Sequence, residues 1–336
     1  MKPPGQTSHN QELITDYKRT KNLLHLKKQT DNVNNHVIIA KSNPPTIHNS
    51  PNDALLYVPN DQDSQDVIDY DEYIKQIEQV YSTSPHLRID IINSLTLPKC
   101  TSINIDPFGM VDNSLRLKKD GFTYFGFTEN LEDKSIDFLI KPKTEQYEEK
   151  YLGKHFYIRF DPKERKYFIK DLGFGFGTFS KIIEHIKIKD NYLINLGNTF
   201  LVFMFGGEEM ISVEDNSIDS VDNKTLNVRV FSGNGKSEPK SFNPSVKRVA
   251  YIGRDPSLCD ICIDDNLLSR VHCTLLFTEE YGWVLRDGKK EGLSDEGKSS
   301  TNGTWIYLME ESEIVDRMIF KGNQNLFECK YEYNNQ

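Results

Sequence analysis

Gly253-Arg254, then Ser269-Arg270-Val271-His272, then Ser300-Thr301-Asn302-Gly303-Thr304 decide how this chain is read. They place two guanidiniums, several hydroxyls and a side-chain amide on three loops between short β-forming runs. Arginine offers a planar fork of N–H donors that can grip two oxygens of a tetrahedral anion, and hydroxyls add directed donors beside it. The set suits a phosphate held by charge-assisted hydrogen bonds with an extended peptide alongside.

Outward from these loops the texture is β. Phe122-Thr-Tyr-Phe-Gly-Phe127, His155-Phe-Tyr-Ile-Arg-Phe160, Tyr167-Phe-Ile-Lys170, Thr199-Phe-Leu-Val-Phe-Met-Phe205 and Leu226-Asn-Val-Arg-Val-Phe231 are rich in aromatic and β-branched residues, with Gly, Asn and Asp between many of them. Short strands separated by turn formers predict a sandwich or barrel. The 336 residues are enough for two or three domains.

The three loops, in this order and spacing, resemble the forkhead-associated (FHA) domain, a reader of phosphothreonine peptides, over roughly residues 224–332. The resemblance implies that Arg254 grips the phosphate, that Ser269 and Thr301 donate hydroxyls, that Arg270 adds a second cation, and that Asn302 clamps the peptide backbone. It implies loop-shaping roles for Gly253 and Gly303 and a pinning role for His272. In the family the strand Asp, here Asp287, is followed within a few residues by the Ser-x-Asn-Gly-Thr loop. Here 288–299 stretches that connection, either as a surface insert or as a flap reaching over or blocking the site.

The β-rich stretch upstream aligns with this one. Tyr124-Phe-Gly126-Phe127 matches Tyr251-Ile-Gly253-Arg254, and Ile136-Asp-Phe-Leu-Ile140 matches Asp260-Ile-Cys-Ile263. Leu152-Gly153-Lys154-His155 matches the stretch from Leu268 to His272, and Phe168-Ile-Lys-Asp171 matches Val284-Leu-Arg-Asp287. Gly175-Phe176-Gly177-Thr178-Phe179 matches Thr301-Asn302-Gly303-Thr304-Trp305, and Leu193-Ile-Asn-Leu-Gly197 matches Met318-Ile-Phe-Lys-Gly322. Phe127, Gly153, Gly175 and Phe176 then stand where the second copy has Arg254, Ser269, Thr301 and Asn302, leaving only Lys154 as a phosphate-binding group. The expected fold is all-β: two FHA-like sandwiches in tandem, the first degenerate, behind an extended N-terminal arm with one or two short helices.

The expected divisions are an arm at 1–65, a helix and connecting segment at 66–103, the degenerate sandwich at 104–206, an acidic linker at 207–223 and the reader at 224–332. Over 66–82, Val67, Tyr70, Ile74, Ile77 and Tyr81 recur at helical spacing and predict one apolar face, which packs on the neighbouring domain or docks a partner. The arm carries Lys18, Arg19, Lys21, Lys27 and Lys28. It reads either as a solvated tail or as an arm lying on acidic subunits of a large assembly, such as a cytoskeletal or ciliary one.

Composition narrows the function. A net charge of −9 disfavours a nucleic-acid or membrane binder. No apolar run reaches membrane-span length, and no secretory h-region opens the chain. Five cysteines without framework spacing point to reduced thiols in an intracellular, cytoplasmic setting. Cys259-Asp-Ile-Cys262 lacks a second ligand pair for zinc and reads as packing. The glycines at 173, 175 and 177 do not complete a nucleotide loop, because position 178 is Thr. No catalytic set, metal site or cofactor is expected. The expected partner is a phosphothreonine-containing protein.

Overall fold

The computed structural model describes residues 70–98, 101–130, 132–143, 151–206, 225–232, 235–290 and 297–333. The expected arm at 1–65 and the expected linker at 207–223 lie outside the described residues, as do Val67 and residues 291–296. The fold is all-β, as the strand texture predicts, with one short α-helix, Tyr70–Val80, running into a 3-10 turn, Tyr81–Thr83.

Two five-stranded sheets lie over one continuous twelve-stranded sheet. The first small sheet runs Ser312–Glu313, Lys166–Asp171, Gly153–Asp161, Phe122–Phe127, Phe138–Leu139. The second runs Ile261–Cys262, Val249–Gly253, Cys273–Thr278, Gly282–Asp287, His185–Lys187. Each holds one parallel pair at the matching place, with Gly126 opposite Leu139 and Gly253 opposite Cys262. The two small sheets therefore share one pairing pattern, with a parallel pair at the same place in each.

The strands are exchanged between the halves. His185–Lys187, Leu193–Leu196 and Thr199–Phe205 precede the expected linker, yet they pair with Gly282–Asp287, Trp305–Tyr307 and Leu226–Ser232 of the C-terminal sandwich. Reciprocally, Ser312–Glu313, Ile319–Gly322 and Asn325–Glu332 pair with Lys166–Asp171, Thr178–Lys181 and His86–Asn93 of the first. The chain crosses over just after Lys181 and just after Tyr307. The sandwiches thus do not divide at 104–206 and 224–332. The first also starts earlier than expected, since His86–Asn93 and Ser102–Asp106 belong to it.

Packing shows why the exchange holds. Leu308, Ile314, Met318, Phe320, Phe327 and Cys329 are buried with Leu87, Phe125 and Phe156 in the first core, while Ile182, Ile188, Ile194, Leu201 and Phe203 are buried with Val228, Ile252 and Trp283 in the second. Each such side chain contributes roughly 1.5–3 kcal/mol of apolar transfer. The second crossing is also pinned by polar contacts. Arg159 grips Glu311 through two bonds of 2.8 Å, and the Tyr157 hydroxyl donates to the same carboxylate at 2.8 Å.

At the middle of the large sheet, Trp305, Ile306 and Tyr307 face Lys181, Ser180 and Phe179, an antiparallel register that maps each half onto the other. Beside this axis the Lys321 ammonium donates to Asn195 and lies over the rings of Phe179 (4.9 Å) and Trp305 (4.8 Å). The pairing also moves the repeat by one residue at this point. Asn195 faces Trp305 as Lys321 faces Phe179, so 194–196 correspond to 320–322, and the match of 193–197 to 318–322 is out of step. Both segments are short apolar runs, and only the neighbouring strand fixes their alternation.

The helix face is also shifted. Tyr73 and Ile77 are the buried positions, whereas Tyr70 is 48% exposed and Ile74 only partly covered. The Tyr73 hydroxyl donates to the Phe160 carbonyl, and Gly121 sits under both buried side chains. The helix packs on the first sandwich, one of its two expected roles, through a neighbouring stripe.

Candidate phosphopeptide site

The site stands at one end of the C-terminal sandwich, where three loops leave the small sheet. Beyond Gly253 the chain separates from its partner strand but stays linked to it: Arg254 N–H donates to the Ser269 carbonyl and Asp255 N–H to the Arg270 carbonyl, both at 3.2 Å. The two arginine-bearing loops are thereby joined. A Cβ at Gly253 would collide with the Arg270 carbonyl oxygen, so this close approach requires glycine.

Arg254 and Arg270 are both exposed. Among the described residues neither forms an ion pair within 4 Å. The nearby Asp255 carboxyl is held below its ordinary value, first by the Ser257 side chain and backbone and further by Arg270 and Arg254.

The Ser269 hydroxyl accepts the Thr301 N–H at 3.0 Å and lies 3.4 Å from the Thr301 hydroxyl, which places both hydroxyls at one rim. Asn302 donates its side-chain amide to the Leu267 carbonyl at 2.7 Å. Part of the amide expected to clamp a peptide is thus already engaged, and the side-chain oxygen is left as the group available to a peptide N–H. The structure brings Arg254, Ser269, Arg270, Thr301 and Asn302 together on three adjoining loops.

His272 bolts those loops together. It is fully buried; Nδ1 accepts the Ser269 N–H and Nε2 donates to the Gly303 carbonyl, both at 3.1 Å. Gly303 holds φ at +77°, the left-handed region that suits glycine. The sequence reading missed the knot beneath. One oxygen of Asp287 accepts the hydroxyls of Ser300 (2.6 Å) and Thr304 (2.7 Å), the other accepts the Ser300 N–H (3.0 Å), and the Ser300 hydroxyl accepts the Gly303 N–H (2.9 Å). The flanking Ser300 and Thr304 were visible signals, because small hydroxyls beside an invaginated glycine turn are typical local backbone binders. Trp305 is buried and donates its indole N–H to the Asn302 carbonyl at 2.9 Å.

The insert after Asp287 is a hairpin at its base, with Lys289–Lys290 paired to Gly297–Lys298. That base is fastened to the sheet: the Thr274 hydroxyl donates to the Gly288 carbonyl and accepts the Lys290 N–H. The corresponding end of the first sandwich is aromatic. Phe127, Tyr151 and Phe176 meet edge to face at 5.9 and 5.4 Å, and the Lys154 ammonium sits over the Tyr124 ring at 3.9 Å.

His155 repeats His272. Its Nε2 donates to the Tyr151 carbonyl and its Nδ1 accepts from the Asn323 amide, both at 2.6 Å. Burial lowers both imidazoles, His155 from 6.5 to about 4. Below pH 6.5 the unfolded chain therefore binds more protons than the folded one, and stability is lost as pH falls. The His155 share is on the order of 3 kcal/mol, lost between about pH 6.5 and pH 4. Urea midpoints measured across that range should decline, and His155→Gln should flatten the decline.

Among the described residues no group of three His, Cys, Asp or Glu side chains could hold a metal, and no helix is long and apolar enough to cross a membrane. Cys259 and Cys262 donate weakly to the carbonyls of Arg270 and Arg254, contacts that belong to loop packing. A comparison with curated proteins finds none that matches this chain. The FHA domain family model matches residues 250–316, which supply all three loops, and the chain carries an FHA domain there, a protein-interaction module of a kind that generally binds phosphorylated partners.

Proposed function

We propose that the C-terminal sandwich recognises a phosphothreonine in a partner protein and that the first sandwich supports it without reading phosphate. The observation that carries this is the pair of exposed arginines, free of ion pairs among the described residues, beside the Ser269 and Thr301 hydroxyls. A phosphomonoester brings nearly two negative charges and three acceptor oxygens. Arg254 takes two of those oxygens, Ser269 and Thr301 donate hydroxyls, and Arg270 adds charge. Asn302 accepts a peptide N–H through its side-chain oxygen while Leu267 holds its amide. At the equivalent place in the first sandwich, Phe127 and Phe176 offer rings in place of donors, and Lys154 is stacked on Tyr124.

The test is titration of the full chain with a randomised peptide set in three forms: plain threonine, phosphothreonine and phosphoserine. Binding confined to phosphorylated forms, strongest for phosphothreonine, is the expected result. Equal affinity for plain and phosphorylated peptides would end the proposal.

A further inference from the structure

Because of the strand exchange, the ligand loops rest on residues from the other half of the chain. Leu193–Leu196 and Thr199–Phe205 are joined by a two-residue turn, and this turn meets the loop that leads to Ser269. Asn198 N–H and the Thr199 hydroxyl both donate to Asp265 Oδ2 at 3.2 Å. The other oxygen, Oδ1, accepts the Leu267 N–H at 2.9 Å, and the Asp265 carbonyl accepts the Leu268 N–H at 3.0 Å. Leu267 in turn receives the Asn302 amide, and Ser269 receives the Thr301 N–H. Gly197 holds φ at +65°, and a Cβ there would lie 2.9 Å from Leu267 Cβ, so the turn touches the loop directly.

We infer that the 197–199 turn, with Asp265 as the bridging carboxylate, positions the phosphate-reading loops, so that the site is a composite of both halves of the chain. Asp265 suits the task because an ionised carboxylate only accepts; it can take donors from the turn on one oxygen and from the loop on the other. An asparagine there would turn an amide N–H toward one of those donor sets. The opposite hairpin also meets a loop of the first sandwich, though a different one: Asn323 accepts the Phe176 N–H at 2.7 Å and donates to His155. Turn-on-loop support is therefore part of the exchanged architecture, and only in the C-terminal sandwich does it end on groups able to take a phosphate. Thr199 and Asp265 are positioning residues; neither is proposed to touch the ligand.

This inference rests on the phosphothreonine reading, and its test separates the two. In the full chain, Thr199→Val removes the hydroxyl at nearly constant shape, Asp265→Asn disrupts the bridge, and Thr199→Ser restores a donor. Thr199→Val should weaken phosphothreonine-peptide binding about two- to tenfold, the effect of one lost hydrogen bond. Asp265→Asn should weaken it too, and Thr199→Ser should bind like the parent. Parent affinity in both Thr199→Val and Asp265→Asn overturns the inference, as does failure of Thr199→Ser to rescue. If the parent shows no preference for phosphopeptide, the functional reading falls and amide exchange decides the inference. Faster exchange at Leu267 and Leu268 in Thr199→Val, with the other strands unchanged, upholds the positioning contact; unchanged exchange at those amides overturns it.

Discussion

A fragment of residues 182–311 will fold into one closed sandwich carrying the ligand loops, and it will be more stable than a fragment of residues 224–332. The first contains every strand of the second small sheet and its facing strands, along with Ile182, Ile188, Ile194, Leu201 and Phe203 of the core. The second lacks those side chains and must close on its own C-terminal strands. By the observed register, Phe320, Phe327 and Cys329 would then take the places of Ile194, Leu201 and Phe203. Two sites would be overpacked at about 1–3 kcal/mol each, and one would be hollowed at a cost approaching the roughly 3–5 kcal/mol of a large truncation. Against a total stability of about 5–15 kcal/mol, that difference is several degrees at least in thermal midpoint. Matching midpoints for the two fragments would show the strand sets to be interchangeable, contrary to the packing argument.

Arg254→Ala will weaken binding of a phosphothreonine peptide by roughly ten- to a hundredfold, the loss of a charged hydrogen-bonding partner worth about 1.5–3 kcal/mol. Arg254→Lys will recover only part of this, because a single ammonium keeps the charge but not the two-pronged geometry. Arg254 is exposed and its backbone makes the loop contacts, so the substitution leaves the fold in place. Lys154→Ala, at the aromatic end of the first sandwich, serves as the comparison and should leave affinity unchanged. Calorimetric titration of all three variants checks the point. Binding by Arg254→Ala within twofold of the parent would remove Arg254 from the site.

The proposed ligand loops stood out in the sequence as a candidate because phosphate chemistry admits few residue types. Arg254 and Arg270 are exposed cations without an ion pair among the described residues, and the order of Arg254, Ser269, Arg270, Thr301 and Asn302 survives in the linear chain. Their support was not legible. Asp287 and Asp265 look like ordinary turn acids until Ser300, Thr304 and the 197–199 turn are seen around them. The helix was legible as a helix and Ile77 as one of its buried positions, but Tyr73 was not. Both Tyr70–Ile74 and Tyr73–Ile77 satisfy the period, and the Phe160 carbonyl and Gly121 chose the second.

By itself, the sequence determined an all-β chain and placed the cluster of Arg254, Ser269, Arg270, Thr301 and Asn302, the proposed phosphate site, in its C-terminal half. Those are properties of residue type and alternation, which act locally. Only the tertiary structure decided which strands close which sandwich. The two halves share one strand period, so either closure satisfies the local pattern. The choice is made by side-chain volume across the cores and by the register at Trp305 and Lys181, between segments more than a hundred residues apart.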